Sequence, residues 1–129
     1  MRFFVVLSLI LLPVSFAVVG SEIPADKDVI VFQGKTGNVT FHHKLHSGLE
    51  NVGGVDTVKC STCHHTYQGE GEVKACGDCH VRNKNEAPED TPVRKKAMHY
   101  RCRGCHKYTM EEGKPAGPDK KCKLCHVKQ

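Results

Sequence analysis

Four copies of one short motif govern what this chain can become: CSTCH at 60–64, CGDCH at 76–80, CRGCH at 102–106 and CKLCH at 122–126. Each places two cysteines three residues apart and a histidine directly after the second. All 8 cysteines of the 129 residues are used this way, so whatever staples the chain does so at these four points. The staples have much to hold. From Ser21 onward only 17 residues are Leu, Ile, Val or Phe, and none is Trp. That is fewer than the roughly one in five below which chains read as disordered. The length allows one ordinary domain, and its apolar area does not offset an ordering cost of about 1.5 kcal/mol per residue. Disulfides, a metal or a cofactor must supply the interior.

Four chemistries use paired cysteines. A disulfide framework suits a small exported chain with an even cysteine count, but gives no reason for a histidine at the same place in every motif. Zinc is saturated by four thiolates, or by three and one imidazole, so eight cysteines and four histidines oversupply two sites. A thioredoxin-like redox pair belongs beside a βαβ unit, and nothing here alternates that way. Attachment of c-type haem accounts for every position. The two thiols add to the two vinyl groups of one haem, the spacer sets their separation, and the adjacent imidazole reaches iron from the proximal side. The expected cofactors are therefore four haem c groups, held by Cys60 and Cys63, Cys76 and Cys79, Cys102 and Cys105, and Cys122 and Cys125. Their proximal iron ligands would be His64, His80, His106 and His126. Four large apolar plates would also replace the missing core.

Five histidines remain for the far side of the irons: His42, His43, His46, His65 and His99. Bis-histidine ligation closes both axial positions, which suits electron transfer and argues against enzymatic chemistry at iron. It also keeps the potential low relative to Met/His cytochromes. His65 cannot swing round the ring plane to the far face of the iron bound by its neighbour His64, so it must serve another haem. His43 and His46 likewise cannot share one face of one iron. If all four irons are bis-histidine, one of the five is a solvated side chain; His42 is the expected one. Met98 and Met110 read as packing groups. Distal ligands borrowed between motifs would draw the haems into one cluster with short gaps for electrons.

These motifs resemble the class III cytochromes c, the tetrahaem cytochrome c-three group of anaerobic sulfate reducers and its trihaem relatives. The resemblance covers nearly all of the chain after the leader. It rests on a hairpin leading into F-x-H-x-x-H (Phe41, His43, His46), then CxxCHH (Cys60 to His65), a second haem motif about a dozen residues on, a lone His99 ahead of the third motif, and a C-terminal fourth. The family pattern implies that His43 binds the haem of Cys60 and Cys63, His65 that of Cys76 and Cys79, His46 that of Cys102 and Cys105, and His99 that of Cys122 and Cys125. It selects His43 over His42. Two departures stand out: many members use CxxxxCH for the second and fourth haems, and His99 lies as close to its following motif as in the trihaem branch. The resemblance implies a periplasmic carrier that takes electrons from a hydrogenase or formate dehydrogenase and passes them to membrane-bound redox complexes. The alternative is a terminal reductase of metal ions or sulfur species at exposed haem edges.

Residues 1–20, MRFFVVLSLILLPVSFAVVG, put Arg2 before an uncharged apolar run that ends among small residues, the layout of a signal peptide. Cleavage is expected after Gly20, with Ala17 the other site, followed by a tetrahaem domain over 21–129 exported to the periplasm. An uncleaved anchor is the rival, but the run is short for a bilayer and Pro13 interrupts it. Without twin arginines the leader fits a Sec route.

The expected fold is small and mostly irregular, with a few short helices and one N-terminal hairpin wrapped round a compact four-haem cluster. Val29 to Phe32 and Val39 to Phe41 read as strands joined by the Gly34 to Gly37 turn. Thr91 and Pro92 read as N-cap and first residue of a helix through Ala97 and His99, with Gly113 and Pro115 marking the next break. The stretches 69–73 and 113–118 read as loops. Charge is uneven: residues 21–93 carry 7 Lys and Arg against 11 Asp and Glu, whereas residues 94–129 carry 11 against 3. The basic C-terminal third suits docking of an acidic redox partner at a haem edge, with about eight propionates offsetting part of the charge. Nucleic acid is not expected, because stacking aromatics are lacking.

Overall fold

The structure, a computed structural model, describes residues 22–128. The leader expected over residues 1–20 lies outside the described residues. Strands β1 (Val29–Phe32) and β2 (Val39–His42) pair antiparallel, with Ile30 opposite Phe41 and Phe32 opposite Val39. The alternation turns Ile30, Phe32, Val39 and Phe41 inward while Val29 and Val31 stay exposed. At the turn, Gly37 has φ +123°, a conformation open only to glycine. A Cβ there would lie 2.9 Å from the backbone of His126 and Val127. That close approach lets Asn38 bridge to Val127, with N–H to O distances of 2.8 and 2.9 Å, so the hairpin turn clasps the C-terminus. Gly37→Ala should therefore cost about 2 kcal/mol or more, read as a lower thermal midpoint with amide exchange quickening most round Asn38 and Val127.

A second hairpin follows the short helix α1 (His43–His46): β3 (Glu50–Val52) and β4 (Val55–Thr57), Val52 opposite Val55. The sequence leads to the expectation of one hairpin only. Gly53 and Gly54, at φ +59° and +75°, form its tip, and Gly-Gly between two valines is a short-hairpin signal that could have been read. The tip leans on the third motif: a Cβ on Gly53 would lie 2.3 Å from Cys105 Sγ.

The first, second and fourth motifs each form one helical turn: α2 (Cys60–Cys63), α3 (Cys76–Cys79) and, later in the chain, a third such turn at Cys122–Cys125. In each, the histidine N–H closes the turn on the first cysteine's carbonyl at 2.8 Å. Positions i, i+3 and i+4 share one face of such a turn, so both thiols and the imidazole project to the same side. Thr62 and Asp78 side chains accept the N-cap amides of Lys59 and Ala75 at 3.0 and 2.9 Å, stabilising turns too short to persist alone.

The third motif differs. Helix α4 (Arg94–Met98) passes through a π-helical turn at His99–Arg103 into α5 (Gly104–Glu111), so His99, Cys102, Cys105 and His106 ride on one rod. The π turn adds a residue per turn and so shifts the bearing of His99 relative to Cys102. The rod ends at a Schellman motif: Lys114 N–H meets Thr109 O at 3.1 Å, and Gly113 N–H meets Met110 O at 3.0 Å, with Gly113 at φ +77°. Two expectations need correction. The helix does not stop near His99, and Thr91 and Pro92 do not cap it. Val93 is the N-cap with ψ 154°, because the Pro92 carbonyl accepts from His80 at 2.8 Å and Arg94 N–H donates to Val81 O at 2.9 Å. Those bonds to the second motif hold residues 92 and 93 extended. The last turn, Cys122–Cys125, is here labelled α6, and 3-10 turns occupy Ala25–Lys27 and Lys84–Glu86. The stretches 69–73 and 113–118 carry no regular element, as expected.

Among the described residues no apolar side chain is buried, and Thr109, 3% exposed, is the only buried side chain. No helix of the described residues is long and apolar enough to cross a membrane.

Candidate haem-binding centre

Eight of the nine histidines meet in four pairs. Ring centroids are 6.0 Å apart for His43 and His64, 5.8 Å for His65 and His80, 6.2 Å for His46 and His106, and 6.2 Å for His99 and His126. Each pair joins a motif histidine to one from outside that motif. Ordinary ring pairs span roughly 4.5 to 7 Å, so one such distance says little, but four between 5.8 and 6.2 Å, each joining a motif histidine to an outside one, point to a shared cause. Two metal–nitrogen bonds of about 2.0 Å, plus about 1.1 Å from each nitrogen to its ring centre, place the centroids about 6.2 Å apart. The gap suits one iron between two imidazoles. His42 is exposed at the end of β2 and has no ring partner of this kind among the described residues; its carbonyl accepts from His46 Nδ1 at 2.8 Å.

Hydrogen bonds orient the rings. His64 Nδ1 lies 3.0 Å from Lys74 O, His80 Nδ1 2.8 Å from Pro92 O, and His106 Nδ1 3.1 Å from Pro118 O. The carbonyls lie 10, 12 and 12 residues downstream, so each motif is followed by a strap that returns to its own histidine. For His126 the acceptor is Gly37 O at 3.2 Å, supplied by the hairpin turn. His43 Nδ1 likewise meets Lys27 O at 3.2 Å. A carbonyl only accepts, so Nδ1 must carry the proton and Nε2 keeps its lone pair for a metal. The same bonds fix ring orientation and raise ligand basicity.

Phe41 sets two distal candidates at once. Its ring centroid is 5.6 Å from that of His43 and 4.7 Å from that of His46, so the F-x-H-x-x-H pattern is a wedge with two imidazoles on it. Phe41→Ala should cost roughly 2 kcal/mol, less than for a fully buried ring. The ring resonances of His43 and His46 should shift most, with those of His65 and His99 spared.

The motifs also converge. Desolvation pushes the Cys102 thiol up to about 11, with Cys63, Cys76, Cys125 and Cys105 adding to the shift. Desolvation raises Cys63 too, opposed by Arg101 and assisted by Cys105, Cys76 and Cys60. Cys102 is thus within electrostatic reach of a thiol from each of the other three motifs. His99 is pushed down by desolvation first, then by Arg103, His126 and Lys95, which favours the neutral imidazole that a metal needs. From Cys63 onward the cysteines are unbridged. Among the described residues no three His, Cys, Asp or Glu side chains converge to hold a metal ion. Paired donors fit haem iron, which takes only its two axial ligands from protein, whereas a zinc site takes three or four.

A thiol pair and an imidazole on one helical turn, faced by a second imidazole, make the donor set of a c-type cytochrome. A model of the class III cytochrome c family matches residues 17–126, and the chain belongs to that family. Cytochrome c3 of Maridesulfovibrio salexigens is 36% identical over 97 residues, covering 70% of this chain and 79% of that protein. Cytochrome c3 of Desulfovibrio desulfuricans is 32% identical over 97 residues, covering 70% and 78%. Among solved structures, PpcD, a cytochrome c7 from Geobacter sulfurreducens, is 33% identical with a TM-score of 0.39, covering 76% of this chain and 98% of its own. Membership makes c-type haem the cofactor and electron transfer the chemistry.

Proposed function

We propose that this chain is an exported, periplasmic tetrahaem electron carrier of low potential, without an enzymatic site at iron. The observation that carries the reading is the set of four imidazole pairs with centroids 5.8 to 6.2 Å apart. Cys60 and Cys63, Cys76 and Cys79, Cys102 and Cys105, and Cys122 and Cys125 hold the haems by thioether links. His64, His80, His106 and His126 are the proximal ligands, and His43, His65, His46 and His99 the respective distal ones. When bound, each haem supplies a one-electron iron couple. The chain's own part is to hold both axial nitrogens in place through the carbonyl straps, close the irons to exogenous ligands, and keep the four motifs together. Intact mass should exceed that of the processed polypeptide by four haems, and near-infrared bands should report bis-imidazole iron throughout. An excess of three haems, or a high-spin fraction in the native ferric protein, would overturn the reading.

The basic residues 94–129 are the docking surface for acidic redox partners: a hydrogenase or formate dehydrogenase on the donor side, and membrane-bound complexes on the other. Field steering is screened within about 8 Å at physiological salt. The bimolecular electron-transfer rate with an acidic partner should therefore fall on the order of tenfold between low and high ionic strength. A salt-independent rate would sink this assignment.

A further inference from the structure

The first turn of α4 is Arg94, Lys95 and Lys96, with no acidic residue. Three cations at a helix N-terminus run against its dipole, so local preference does not explain them. Lys95 and Lys96 are exposed, whereas Arg94 is half-buried and turned toward the second haem motif. Its Nε donates to His80 O at 3.1 Å and its Nη2 to Gly77 O at 3.3 Å. Its backbone N–H donates to Val81 O at 2.9 Å, and His80 Nδ1 returns a bond to Pro92 O at 2.8 Å. Four hydrogen bonds thus latch residues 77–81 to residues 92–94. The acceptors lie in and just after the single turn α3, where orphan carbonyls concentrate partial negative charge that a cation offsets. Gly77 makes room for the latch: a Cβ there would lie 2.4 Å from Arg94 Nη2.

We infer that Arg94 is a positioning residue for the second haem: it clamps the turn that carries Cys76, Cys79 and His80, and it fixes one positive charge there that raises that haem's reduction potential above what the ligand set alone would give. This rests on the assignment of a haem to Cys76 and Cys79. The physical reason is simple. Reduction adds one negative charge at iron, and a half-buried cation nearby stabilises the reduced form with little solvent screening. A guanidinium serves better than an ammonium, because its fork reaches two carbonyls at once and it stays charged. The latch also ties the second motif to the rod that bears His99, Cys102 and His106, so the rod starts against the second motif and carries the third. Arg82, which donates to Gln33 O at 2.9 Å, flanks the same motif but is exposed and points to the first hairpin.

The test is a redox titration of the holoprotein with each haem followed by its own assigned methyl resonances. Arg94→Gln should shift the second haem's reduction equilibrium toward the oxidised form by about tenfold, 59 mV downward for one electron, with the other three moving much less. Arg94→Lys should restore most of the potential and little of the lost thermal stability. Gly77→Ala, which keeps the charge but crowds the guanidinium off Gly77 O, should give a smaller shift in the same direction and serves if Arg94→Gln yields no holoprotein. Arg82→Gln should shift the second haem far less than Arg94→Gln. Loss of stability with an unmoved second potential, or an equal shift at all four haems, would overturn the inference while leaving the tetrahaem assignment intact. A parent protein with no haem on Cys76 and Cys79 would overturn both.

Discussion

Deprived of its haems, the polypeptide from residue 21 onward is expected to be unfolded. Made with all eight motif cysteines as serine, it should lose its helical circular dichroism signal and nearly all slow amide exchange, whereas the parent should be cooperative on heating. Between them, the described residues bury one side chain, that of Thr109, and no apolar one. Each apolar side chain wholly buried would contribute about 1.5 to 3 kcal/mol, and here none is. Single-turn helices and two isolated hairpins do not persist alone in water, and the longer rod from Arg94 to Glu111 is interrupted by a π turn and starts with three cations against its dipole. On the tetrahaem reading proposed above, the straps and turns are arranged round porphyrin rather than round an apolar core of the described residues. An eightfold serine variant that keeps native-like dichroism and protected amides would contradict this directly.

Opening one coordination site should produce the next largest change. His46 stands 6.2 Å from His106 across the gap and rests on Phe41 at 4.7 Å. On the tetrahaem reading proposed above, His46→Gly should leave one iron in four high-spin in the ferric protein and able to bind carbon monoxide when reduced, with its potential raised on the order of 0.1 V. Added imidazole should enter the space left behind and return both the spin state and the potential. The wild-type protein should bind no carbon monoxide at any iron. Should His46→Gly stay wholly low-spin without added imidazole, His46 is not the distal ligand of the third haem.

The parts legible in the sequence are those set within a few residues. The first hairpin follows from alternating Val29 to Phe32 and Val39 to Phe41 round a glycine turn, and the strand pairing extends one residue further, to His42 opposite Val29. Gly113 announces a helix end because a positive φ there needs glycine. The misreadings have distant causes. Thr91 and Pro92 have the chemistry of a helix start, yet the Pro92 carbonyl is taken by His80, twelve residues upstream. The rod from Arg94 to Glu111 reads as a short helix followed by a motif, because a π turn that keeps both His99 and Cys102 in one helix leaves no mark in residue type. The second hairpin is legible in Val52-Gly53-Gly54-Val55, but its strands are three residues each and carry one inward valine apiece, a faint signal beside the first motif.

Taken alone, the order of residues determined that two thiols and an imidazole stand together four times, because that arrangement needs one turn of chain and nothing beyond it. It determined too that the chain from Ser21 onward is too poor in apolar residues to build an ordinary core. Which histidine faces which motif was decided by tertiary structure. His46 reaches His106 and His99 reaches His126 across long stretches of chain, and each meeting depends on a wedge, a strap or a helix turn contributed from elsewhere. Covalent neighbours are written in the chain, but a ligand that arrives from the opposite side of a plate is placed only by the path of everything folded between.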